Sequence, residues 1–127
     1  MIALDHIILA VNDRQRSVEF YTGVLGLTQE DDREPFAVLR VTPSFVIQLA
    51  PWGTKGGEHL AFSMSRAEFD QTFARVRAAG LAFGDAFDAV GNMKGPGESG
   101  GSGPHGQSVY FFDPDDHLLE IMHYEAQ

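Results

Sequence analysis

Residues Gly103–Tyr124 read GPHGQSVYFFDPDDHLLEIMHY, and the rest of the chain is best read outward from them. Two apolar runs, Ser108–Phe112 and His117–Tyr124, flank Asp113-Pro114-Asp115-Asp116, a turn-forming cluster. The segment therefore predicts two strands joined by a tight turn. Alternate residues of a strand share a face. Glu120 then lies with Leu118, Met122 and Tyr124, while His117 and His123 fall on the opposite face. A carboxylate in an apolar strand is costly unless a partner neutralises it. The two neighbouring histidines are not that partner.

Working back, the strand pair closes a pattern that occurs twice. Leu4–Val11 predicts a strand, and Asn12 or Asp13 can cap a helix running to about Leu25, with Gly26 near its end. Leu27–Asp32, Phe36–Val41 and Phe45–Ala50 read as three short strands separated by prolines. The plan then restarts with His59–Met64 as a strand. Ser65-Arg66-Ala67-Glu68 is a capping-box sequence, and Phe69, Phe73 and Val76 recur at helical spacing until Gly80. Leu81–Phe87, Ser108–Phe112 and His117–Tyr124 supply three more strands. Each half is strand, helix, three strands: an α+β domain of two βαβββ modules, residues 1–55 and 56–127.

Between the second helix and the last two strands, Asp88–Gly106 carries seven glycines and two prolines. Such a segment is either a flexible surface excursion or a lid over a site.

The 127 residues include nine basic and eighteen acidic side chains, a net charge of −9, so no basic stripe for nucleic acid is present. Apolar residues make up 43% and charged ones 21%, the balance of a globular chain. There is no cysteine, which excludes disulfides and thiolate chemistry and leaves His, Asp, Glu and neutral oxygens for any metal. MIALDHIILAV is short, lacks a basic start and is broken by Asp5 and His6, so it reads as a strand, not a leader. No run is long enough to span a bilayer, and a cytoplasmic protein is expected.

The duplication gives Glu120 its partners. His6 opens module one and Gln48 lies in its last strand, 42 residues on; His59 opens module two and Glu120 lies 61 residues on. The difference is about the length of the glycine-rich segment. Two imidazoles, an amide and a carboxylate at repeat-equivalent places suit one divalent metal such as Zn, Ni, Co, Mn or Fe. Singly, each histidine could be an ordinary strand residue; together, the four point to a metal.

LDHIILAV, RSVEFYTGVLGL, EHLAFSM and SVYFFDPDDHLLEIMHY resemble the vicinal oxygen chelate superfamily: glyoxalase I, methylmalonyl-CoA epimerase, fosfomycin-resistance enzymes, extradiol dioxygenases and bleomycin-resistance proteins. The resemblance spans nearly the whole chain. It implies eight strands in a cup around a metal, with His6, His59 and Glu120 as ligands and Gln48 in the fourth position. It also implies a homodimer with sites shared between subunits and a small-molecule substrate that chelates the metal through neighbouring oxygens. In the isomerases of the family a carboxylate at the metal moves a proton, which casts Glu120 as base. Extradiol dioxygenases carry a Tyr where this chain has Tyr110, although that residue could equally be an ordinary strand aromatic. The pattern departs from bacterial glyoxalase I at Ala10, where an Arg usually helps bind glutathione. The potassium loop and C-terminal Arg segment of glutathione-dependent fosfomycin enzymes are not evident. A glyoxalase- or epimerase-type lyase or isomerase is the leading expectation. A ring-cleaving dioxygenase and a metal-free drug-sequestering protein are the alternatives.

Overall fold

The computed structural model describes residues 1–98 and 100–124; Ser99, inside the glycine-rich segment, and residues 125–127 lie outside the described part. The chain divides into two compact units, Met1–Lys55 and Gly56–Gln127.

The first unit runs β1 (His6–Ala10), α1 (Arg14–Gly23), β2 (Thr28–Arg33), β3 (Phe36–Thr42) and β4 (Phe45–Ala50), with sheet order β1-β4-β3-β2. Asp13 caps α1 by accepting the Arg16 amide at 3.1 Å. Gly26 leaves the helix with φ of 73°, a left-handed conformation that costs glycine little. Strand parity explains the packing. Leu9, Val11, Leu39, Ile47 and Leu49 are buried, and α1 covers β3 and β4 with Val18 and Tyr21. The opposite face carries His6, Ile8, Val38 and Gln48, and there Ile8 keeps 44% of its surface exposed.

The second unit runs β5 (His59–Ser63), α2 (Arg66–Ala78), β6 (Phe83–Gly84), β7 (Gly97–Glu98), β8 (Gln107–Phe112) and β9 (Leu118–His123). Its sheet order is β5-β9-β8-β6, with β7 also paired to β8. The capping box forms as read: Ser65 Oγ accepts the Glu68 amide and Glu68 Oε1 accepts the Ser65 amide, both at 3.1 Å. Those bonds hold the Glu68 carboxyl below the usual carboxylate range, the backbone bond to Ser65 contributing most. Replacing Ser65 by Ala is expected to cost about 1 kcal/mol, read as a lower urea midpoint at unchanged slope. α2 buries Phe69, Thr72, Phe73 and Val76 and packs on β9. His117 and His123, both on the helix-facing side of β9, are buried, as parity requires.

The structure corrects two sequence expectations. The strand expected over Leu81–Phe87 pairs only at Phe83 and Gly84, with Phe111 and Tyr110. Beyond that point the chain folds back on itself: the Gly91 and Met93 amides, at 3.0 and 2.9 Å, both donate to the Phe83 carbonyl. A Cβ on Gly84 would overlap the Ala89 carbonyl, so the reversal needs glycine there. The glycine-rich segment is also not a bare loop. It contributes β7, a strand beyond the eight expected, and Asn92 ties its start to Asp85 at 2.7 Å. Among the described residues no helix is long and apolar enough to cross a membrane.

Candidate metal centre

In the second unit, His59 starts the edge strand β5 and pairs with Leu118, while Glu120 sits two residues further along β9. Both side chains therefore project from the face that α2 does not cover. His59 Nε2 stands 3.2 Å from Glu120 Oε1, and His59 Nδ1 stands 3.1 Å from the Leu118 carbonyl oxygen. A carbonyl only accepts, so Nδ1 is the protonated nitrogen and Nε2 presents a lone pair to the carboxylate. The two facing atoms are both acceptors unless the ring carries a second proton. Either that proton or a cation must reconcile them.

Glu120 is nearly enclosed, its side chain 7% exposed, whereas His59 keeps 47% of its side chain in solvent. Ser108 Oγ donates to the other carboxylate oxygen, Oε2, at 2.5 Å. Tyr110, opposite Glu120 in the β8–β9 ladder, stacks on the His59 ring at 6.4 Å between centroids and 20° between planes. Burial and then the charge of Glu120 push the Tyr110 phenol above its ordinary pKa. Tyr110 thus keeps its proton at neutral pH and is a donor.

In the first unit, His6 pairs with Val46 and Gln48 lies two residues further along β4, the diagonal that relates His59 to Glu120. The repeat equivalence inferred from spacing is thus matched by ladder register. His6 Nδ1 bonds to Asp5 Oδ2 at 2.7 Å, which leaves Nε2 as the outward nitrogen. Ala10 and Ala50 pair further along the same face.

Do these residues fit a divalent ion? Within either unit, among the described residues, no three His, Cys, Asp or Glu side chains gather into a metal cage. Each unit offers a pair of donors. Two N or O ligands at about 2.0–2.2 Å from one ion, 90–110° apart, stand about 3.0–3.5 Å from each other. The 3.2 Å between His59 Nε2 and Glu120 Oε1 lies in that range, and the imidazole is oriented by a backbone carbonyl as metal-bound histidines usually are. The donor set fits.

Two contributors escaped the sequence reading. Asp5 orients His6, and Ser108 holds Glu120. Ser108 had a visible signal: a polar residue at the head of the apolar run Ser108–Phe112. Trp52 is 62% exposed and meets Phe36 edge-on at 5.7 Å, and Lys94 is exposed in the glycine-rich segment.

A glutathione transferase, FosA of Serratia marcescens, is 29% identical over 126 residues, covering 94% of this chain and 79% of that protein. Among solved structures, oxidases ChaP-H1 and ChaP-H2 are each 28% identical with a TM-score of 0.81, covering 98% of this chain and 98% and 94% of theirs. A family model matches residues 3–121, and by that match the chain belongs to the Glyoxalase/Bleomycin resistance protein/Dioxygenase superfamily.

Proposed function

We propose that this protein is a metal-dependent enzyme that holds a small substrate through two neighbouring oxygens. His59 and Glu120 are two of the ligands, and His6 and Gln48 provide the rest of the set, within a homodimer that shares its sites. The observation that carries this reading is that His59 Nε2 and Glu120 Oε1 face each other at 3.2 Å on the side of the sheet that α2 does not cover.

A divalent ion bound there supplies Lewis acidity toward a substrate carbonyl or hydroxyl oxygen. Two imidazoles, an amide and one carboxylate leave about one positive charge on such a site. On a chain of net charge −9, that is what an electron-rich oxygen pair would meet. Tyr110, which retains its proton beside Glu120 and His59, is placed to donate to an oxygen on which negative charge develops. Gln48 orients and does not exchange protons. The reaction class is a lyase or isomerase of the glyoxalase and epimerase kind.

A second reading, oxidation of the chelated substrate, is favoured by the two-histidine, one-carboxylate set, which suits ferrous iron. Similarity to the oxidase ChaP-H1 over 98% of the chain points the same way.

Metal analysis of protein purified without added metal tests the proposal, followed by assays on the loaded enzyme. Near one equivalent of a first-row metal is expected. Oxygen consumption with catechols would select oxidation, and isomerisation of a 2-oxo thiohemiacetal the first reading. Protein that neither retains nor takes up metal would leave only a sequestering role.

A further inference from the structure

We infer that Ser108 is a positioning residue that fixes Glu120 as a one-oxygen ligand. This rests on the metal reading above and narrows it to one oxygen of the carboxylate.

The geometry is local. Ser108 is fully buried on β8, and its ladder partner Met122 places it on the face of Glu120. At 2.5 Å its hydroxyl makes the short hydrogen bond of an O–H to an ionised carboxylate. A free carboxylate has two equivalent oxygens and can bind an ion through either or both. Here they differ: Oε2 accepts a hydrogen bond from the serine hydroxyl inside the sheet, while Oε1 faces His59.

The first unit is an internal control. Gln48 stands where Glu120 does, opposite Val38 as Glu120 is opposite Tyr110. The position equivalent to Ser108, two residues earlier, is Phe36. The uncharged amide has no hydroxyl at that place; the carboxylate has one.

The test compares Ser108→Ala and Ser108→Thr with wild type, each metal-free, by titrating Co²⁺ against a competing chelator. Thermal unfolding of each metal-free protein checks that it folds. Loss of the hydroxyl is expected to weaken Co²⁺ binding about 10–100-fold and to alter the visible Co²⁺ spectrum as both oxygens become available. Threonine, which keeps the hydroxyl, should restore affinity and spectrum. Wild-type affinity and spectrum in Ser108→Ala would overturn the inference, as would equal losses in both variants, which would implicate packing. Failure of wild type itself to bind Co²⁺ would instead bring down the metal reading and this inference with it.

Discussion

Replacing His59 by Ala is expected to strip the protein of metal while leaving the metal-free fold almost as stable as before. Structural zinc binding is worth about 10–16 kcal/mol over four ligands, so one ligand accounts for roughly two to three orders of magnitude in affinity. Metal-free stability should change little, because the His59 side chain is 47% exposed and surface substitutions usually stay within about 0.5 kcal/mol. Glu120→Gln makes the complementary case. Its amide oxygen can still accept from Ser108, and its NH₂ can donate to His59 Nε2, so both contacts are satisfied without a cation. We expect this variant to lose metal yet unfold at the same temperature as metal-free wild type or higher, since it buries no charge. Chelator competition and calorimetry on the same samples give both numbers. Wild-type metal affinity in either variant would exclude the ligand assignment.

The largest effect on stability is expected from Phe69→Ala. Phe69 is 1% exposed, meets His123 edge-on at 4.8 Å and lies 6.2 Å from Phe73, whose ring meets Phe83 at 5.1 Å. Truncating a buried Phe costs about 3–5 kcal/mol through lost transfer energy and the cavity left behind. The cavity would open beside His123 Nδ1, a buried atom with no hydrogen-bond partner among the described residues. Water entering there would bond to Nδ1 and offset part of the loss, so we expect the lower end, about 3 kcal/mol. Urea unfolding measures it; a change below 1 kcal/mol would mean that this contact is not the centre of the second unit's core.

These residues also show which parts of the fold were legible in advance. The helices were, because Asp13, Ser65 and Glu68 act within one turn of where they stand. Strand faces were, because parity is local: it separated Glu120 from His117 and His123, and His59 from Leu60, without knowledge of neighbours. The length of β6 was not. It ends where amides eight and ten residues later, on Gly91 and Met93, claim the Phe83 carbonyl, and no local preference encodes that. Ser108 was half legible. Its polarity stood out, but its partner depends on the hairpin register set by the Asp113–Asp116 turn. A slip of one residue would have turned Ser108 toward α2. Asp5 gave no signal, since an exposed acid beside a histidine is common.

In both sheets the closing strand of the module lies in the interior: β4 between β1 and β3, and β9 between β5 and β8. Until that strand arrives, the opening strand has no ladder to join, and the chain between them must be brought together first, an entropic cost that slows assembly. Gln48 and Glu120 ride on these keystone strands. A partly synthesised or partly unfolded module can therefore show a histidine but not the pair. Under the proposed function, capture of an ion is coupled to completion of the sheet, and a bound ion would in turn hold the keystone strand in place.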